Sequence, residues 1–125
     1  MRKKMAFIVD DDKMMQHFLE YSFIGREDYT IKTFSDPEDC LSDLNSNPDI
    51  IILDHTFVGK NKEMLNGLET LKRIRIISPS LPVIILSRHG DENLKKAYIE
   101  NGIMDFIVKD DFFLNTLFDS MNRLL

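Results

Sequence analysis

A chain of 125 residues with 43% apolar side chains can bury one core of its own and is too short for two domains, so residues 1–125 are expected to form a single unit. Sixteen basic residues against 21 acidic ones leave a net charge of −5 with no dense basic stripe, which argues against direct nucleic-acid binding. The single cysteine, Cys40, excludes an internal disulfide, fits a reducing cytoplasmic setting, and reads best as a small buried apolar residue.

Taken in chain order, the first element is an apolar run, Met5–Val9. It follows the basic start Arg2-Lys3-Lys4, but Asp10-Asp11-Asp12 ends it too early for a secretion signal, and it is far too short to span a membrane. A helix is predicted over Lys13–Ile24, with Asp12 as its N-cap and Gly25 beyond its end. Tyr29–Phe34 follows as a strand, then Ser35-Asp36-Pro37-Glu38, a capping box with proline in the first turn, opening a helix to Ser46. Ile50–Leu53 is the third strand and Leu68–Ile77 the third helix. Val83–Leu86, Glu92–Asn101, Met104–Val108 and Phe112–Leu124 complete the series, with Gly102 after the fourth helix and an apolar stripe of Phe113, Leu117, Met121 and Leu124 on the last. Three strands (AFIV, IIIL, VIIL) are almost wholly apolar, the pattern of strands covered on both faces. Five alternating strand–helix units imply an α/β fold, a parallel sheet with helices on both sides.

Right-handed crossovers place every strand C-terminus on one edge, where ligands bind in open α/β sheets. At that edge stand Asp10, Asp11 and Asp12 after strand one, Asp54 after strand three, Ser87 after strand four and Lys109 after strand five. Carboxylates suit a divalent cation, and a hydroxyl and an ammonium suit anionic phosphoryl oxygens. If strands one and three are neighbours, about 4.8 Å apart, Asp10, Asp11 and Asp54 converge. Such a cluster is tolerated if a pKa rises or a cation binds, and compact Mg²⁺ suits a site of few carboxylates.

FIVDDD, IIILD, VIILS and DFIVKD, with NGLETLKRIR and ENGIMDFIVKD between them, resemble in order the signature blocks of bacterial response-regulator receiver domains, over essentially the whole chain. The resemblance implies a doubly wound, flavodoxin-like (βα)5 fold with strand order 2-1-3-4-5. It implies Asp54 as the phosphoacceptor, Asp10 and Asp11 as the acidic pair, and a Mg²⁺ site of Asp10, Asp11, Asp54 and the backbone carbonyl of Thr56, with Asp11 and Asp54 as direct ligands. Lys109 matches the lysine that pairs with the acceptor, Ser87 the switch hydroxyl, and Phe106 the aromatic that turns with it. The partners implied are a histidine kinase or histidine phosphotransfer protein and a downstream effector the sequence does not name. The resemblance further implies a signalling domain that catalyses only its own phosphorylation and slow dephosphorylation. With no effector sequence after Leu125, it is read as either a stand-alone receiver or one taken from a longer protein.

Three departures stand out. Asp54 to Gly67 is thirteen steps, about five more than usual, with Val58 in place of proline; Asp110, not proline, follows Lys109; and Arg88 and His89 follow Ser87. Arg88 either covers the site or faces solvent. His17, His55 and His89 lack metal-ligand spacing, although His55, beside the acceptor, could tune hydrolysis. Three other readings compete with this one. A haloacid-dehalogenase-type phosphatase using Asp10 and Asp12 leaves Asp54 unexplained. A receiver-like module that works without phosphate would not need Asp10, Asp11, Asp54, Ser87 and Lys109 together. An FMN flavodoxin would want a Ser/Thr/Gly-rich phosphate loop after the first strand, and none is present.

Overall fold

Runs of branched apolar residues form five strands, and the amphipathic segments between them form five helices. The structure, a computed structural model, describes residues 3–55 and 66–123. In order these are β1 (Lys4–Val9), α1 (Lys13–Ser22), β2 (Tyr29–Phe34), α2 (Pro37–Ser42), β3 (Ile50–Asp54), α3 (Gly67–Ile77), β4 (Val83–Ser87), α4 (Glu92–Glu100), β5 (Asp105–Val108) and α5 (Phe113–Asn122). The strands make one sheet in the order β2-β1-β3-β4-β5, the expected doubly wound arrangement, and all four pairings are parallel.

The continuous apolar strands are explained by the layers around them. Ala6, Ile8, Ile50, Ile52, Ile84 and Leu86 face one way, against Leu19 of α1 and Leu117, Phe118 and Met121 of α5. Phe7, Val9, Ile51, Leu53, Val83 and Ile85 face the other way, against Cys40 of α2, Leu71 and Ile74 of α3, and Tyr98 of α4. Each fully buried side chain of this size contributes roughly 1.5–3 kcal/mol. Cys40 is buried as expected, and burial pushes its thiol up to about 12, so it stays protonated. Phe113, Leu117 and Met121 of the predicted stripe are buried, while Leu124 lies outside the described residues.

Local signals explain the element ends. Asp12 caps α1 by accepting from the N–H groups of Met14 and Met15. Gly25 and Gly102 take left-handed conformations, φ +89° and +82°, at the turns after α1 and α4. Two expectations need correction. The cap of α2 is Asp36, which accepts from Glu38 N–H at 2.8 Å, and not Ser35 of the capping box. The predicted helix Pro37–Ser46 breaks after Ser42, leaving a 3-10 turn at Leu44–Ser46 that ends at Asn47 with φ +58°. Asp43 sits at that break: its carboxylate accepts from Ser46 Oγ at 2.8 Å and pairs with Lys32 of β2, which competes with regular helix there.

At the edge opposite the strand C-termini, Arg75 of α3 donates to the carbonyls of Gly102 (2.9 and 2.6 Å), Ser78 (3.2 Å) and Leu81 (2.7 Å). No helix among the described residues is long and apolar enough to cross a membrane.

Candidate functional site

The register of the sheet assembles the site. Val9 pairs with Leu53, so Asp10, the next residue, stands beside Asp54. Asp54 pairs with Leu86, which puts Ser87 one step beyond it, and Ser87 pairs with Val108, which puts Lys109 just past the end of β5. The carboxylates of Asp10, Asp11 and Asp54 each offer an oxygen within 4.8 Å of the others. Among the described residues this is the group of acidic, His or Cys side chains close enough to share one ion.

Lys109 reaches into this cluster. Its Nζ donates to Asp54 Oδ1 at 2.8 Å and lies 3.4 Å from Asp10 Oδ2. Asp10 and Asp54 are only 2% and 6% exposed, so their charges are poorly hydrated. Burial raises the Asp10 carboxyl above its ordinary value, despite the N–H of Asp12 and the Lys109 ammonium, which lower it. Burial and then the Asp10 charge push Asp54 up to about 6, again against the pull of Lys109. Carboxylate oxygens no more than 4.8 Å apart repel by roughly 3.5 kcal/mol or more at an effective dielectric of 20.

The residues fit a divalent cation. Three carboxylates against one ammonium leave a formal charge of −2 in the pocket (−3 + 1). Asp11 Oδ1 is buried with no hydrogen-bond partner, a costly state for a carboxylate oxygen unless a cation takes it. Oxygen ligands alone, few in number, suit Mg²⁺. The remaining expected ligand, Thr56, lies outside the described residues.

Ser87 is buried, and its hydroxyl donates to the His89 carbonyl at 2.9 Å and accepts from the His89 N–H at 3.2 Å. Phe106 is half-buried on β5, with its ring against Tyr98 (centroids 5.8 Å apart). Arg88, His89 and His17 are exposed, and the three histidines lie on separate elements. Asp12 caps α1, so of the Asp10 and Asp12 pair that a dehalogenase-type phosphatase would use, Asp12 already has local work.

The sequence reading missed the braces of this site. Gln16, buried on α1, donates to the Asp10 carbonyl and to Ser35 Oγ (2.9 Å), and Ser35 also accepts from Lys13 Nζ at 2.7 Å. The available signal was a glutamine three residues before Leu19, a polar residue on the apolar face of the helix. Tyr98 was missed as well. It is fully buried, and its hydroxyl shares a 2.6 Å hydrogen bond with Nδ1 of His55, whose imidazole is held below its ordinary pKa by burial.

Comparison with known proteins agrees with this geometry. The chain matches the response regulator receiver domain family over residues 6–120. It is 31% identical over 110 residues to the DNA-binding transcriptional regulator NtrC of Salmonella typhimurium, covering 87% of this chain and 22% of that protein. It is 34% identical over 110 residues to the cyclic di-GMP phosphodiesterase response regulator RpfG of Xanthomonas campestris, covering 82% of this chain and 27% of that one. The chain thus spans about a quarter or less of these curated relatives. Among solved structures, a Francisella response-regulator receiver domain superposes with a TM-score of 0.83 at 26% identity, covering 98% of this chain and 96% of that one. With the sheet order, the aspartate cluster and the lysine all in place, this chain belongs to the response regulator receiver domain family.

Proposed function

We propose that Asp54 is the phosphoacceptor of this receiver and that Asp10, Asp11, Lys109 and Ser87 serve its phosphorylation. The observation that carries the reading is the position of Asp54: one buried carboxylate in contact with both an ammonium and a pair of acidic groups at the strand edge. An oxygen of Asp54 attacks the phosphorus of a phosphohistidine or a small acyl phosphate. A P–O bond forms, the bond from phosphorus to the donor's nitrogen or oxygen breaks, and the departing group keeps that electron pair. The carboxylate is the nucleophile, so it must be ionised. Lys109, already at the acceptor, is positioned to meet charge on the transferring oxygens.

Asp11 and Asp54, with Asp10 behind them and the Thr56 carbonyl as the third protein ligand, would hold Mg²⁺. Bound there, the ion supplies positive charge to the phosphoryl oxygens. The other residues keep that arrangement fixed. Asp10 is oriented by the Asp12 N–H at 2.9 Å, and its backbone by Gln16 and by the N–H bond to Phe34 O at 3.0 Å. The donor partner is a histidine kinase or phosphotransfer protein, and the phosphorylated form acts on a downstream effector. Residues 1–125 act as one receiver unit in this scheme.

Intact mass after treatment with acetyl phosphate and Mg²⁺ tests the reading. One added phosphoryl group is expected on the parent and none on Asp54→Asn. Equal labelling of both proteins would overturn the assignment of Asp54.

A further inference from the structure

Tyr98 lies in the last turn of α4, with its ring in the core and its hydroxyl reaching His55 at the end of β3. The hydroxyl meets His55, the residue directly after Asp54. The backbone of His55 is pinned on both sides: its N–H donates to Leu86 O at 2.9 Å, and its carbonyl accepts from Gly67 N–H at 3.0 Å. Its imidazole meets the Tyr98 ring edge-on, with centroids 5.5 Å apart and planes at 84°. The opposite neighbour of Tyr98 is Phe106, at 5.8 Å and 50°. Three rings therefore run from the acceptor's neighbour, through α4, to β5.

Gly67 makes room for this chain. A Cβ there would meet the Tyr98 hydroxyl and stand 2.8 Å from the Asp54 carbonyl oxygen and 2.9 Å from the His55 Cα. The ends of β3, α3 and α4 thus converge on one phenol oxygen. The contrast with Ser87 is informative: the serine hydroxyl is satisfied within its own loop, whereas the Tyr98 hydroxyl bonds between elements. Burial, and then the Asp54 charge, raise the phenol's pKa, so the hydroxyl keeps its proton.

We infer that Tyr98 is a positioning residue: held by His55, it ties α4 to the acceptor strand and forms the wall against which Phe106 must move. This rests on Asp54 being the acceptor. A change at Asp54 shifts His55, which follows it in the chain, and the shared hydrogen bond carries that shift into α4. An inward turn of Phe106 requires Tyr98 to yield, so the same bond sets how readily β5 responds. The coupling is a property of two states of a packed element, which a ligand biases only through its differential affinity for them.

The conservative substitution Tyr98→Phe keeps the ring and removes only the hydroxyl. Amide spectra would be recorded for the parent and the variant in Mg²⁺, with and without beryllofluoride, together with His55 imidazole ¹⁵N shifts. Tyr98→Phe should still take beryllofluoride at Asp54, shown by shifts at residues 53–55, while the response of Leu94–Glu100 falls by at least half. The His55 Nδ1 resonance should move on substitution even without beryllofluoride. His55→Phe should produce the same α4 loss, and the double variant no further loss. An α4 response as large as the parent's in a Tyr98→Phe protein that binds beryllofluoride overturns the inference. If the parent itself shows no response to beryllofluoride, the reading of Asp54 fails and the proposed signal with it. The imidazole shifts then still report whether the hydroxyl holds His55.

Discussion

Lys109 and Asp54, 55 residues apart in sequence, meet at 2.8 Å in a pocket where both side chains are less than a tenth exposed. The ammonium restrains the acceptor, yet it does not neutralise the pocket, which keeps a surplus of negative charge. Removing it should therefore have two opposite effects. In Lys109→Met, Mg²⁺ should bind more tightly, because a competing cation has gone. Labelling by acetyl phosphate should slow by roughly 10²–10³-fold, the usual cost of losing one donor to developing charge. Mg²⁺ titration and labelling kinetics on one preparation would test both; a weaker Mg²⁺ affinity would refute the competition argument.

The acceptor's elevated pKa gives a pH dependence of defined sign. Asp54 is pushed up to about 6 from an ordinary carboxyl value of 3.8, so between these values the metal-free fold holds more protons than the unfolded chain. The stabilisation this gives is fully present below about pH 4 and is lost as pH rises through about 6, up to roughly 3 kcal/mol for this group. Asp10 is raised too and acts in the same direction. Denaturant melts in EDTA should thus show Asp54→Asn gaining on the parent as pH goes from 4 to 7. Mg²⁺ should cancel that gap at pH 7, and its affinity should fall as pH drops below about 6. A parent carboxyl ¹³C titration of Asp54 with its midpoint near 4 in EDTA would contradict this account.

Asp11 carries the unpartnered oxygen, which predicts an unusual phenotype for its removal. Asp11→Ala should leave the circular dichroism spectrum unchanged and match or exceed the parent's stability in EDTA. Mg²⁺ binding should weaken at least tenfold, and phosphoryl labelling should disappear. Labelling that proceeds equally well in EDTA would remove the metal from the mechanism.

Ser87 must exchange both of its bonds to His89 if its hydroxyl is to reach a phosphoryl group on Asp54. Ser87→Ala should therefore accept phosphate on Asp54 and lose most of the amide response of β5 and α4. A response equal to the parent's would exclude the hydroxyl as the trigger.

Gly67 opens α3 where its backbone crowds against the end of β3 and the Tyr98 hydroxyl. Gly67→Ala puts a methyl group against two main-chain atoms that cannot swing aside, so a loss of roughly 1–3 kcal/mol is expected, the range for overpacking. Urea melts would measure it. A neutral result would mean that the start of α3 shifts easily away from β3.

The legible parts of this protein were those whose signal is local. Ile50–Leu53 and Val83–Leu86 read as buried strands because both faces are covered, and Asp10, Asp54 and Lys109 stood out because a strand end puts a polar residue at the edge. Gln16, Ser35 and Tyr98 gave weaker notice. Their roles depend on what another element places opposite them: the Asp10 carbonyl for Gln16, Lys13 for Ser35, His55 for Tyr98. A tyrosine in KKAYIE looks like ordinary core packing until Gly67 is seen to leave space for its hydroxyl. The break after Ser42 was hidden for the same reason, since the Lys32 that engages Asp43 lies on a different strand.

Arg75 has a consequence for the way α4 can move. Its guanidinium clips the Gly102 carbonyl, just past the C-terminal end of α4, to α3 and to the Leu81 carbonyl ahead of β4. The other end of α4 begins at Asp91, in the exposed loop after Ser87, and its cap is made by its own side chain. One end of the helix is thus fastened to the scaffold and the other rests on a loop at the phosphorylation edge. Such a rod is a lever with its fulcrum at Gly102. A small displacement near Ser87 would swing the first turn of α4 through the widest arc, working against the Tyr98–His55 bond that holds its last turn.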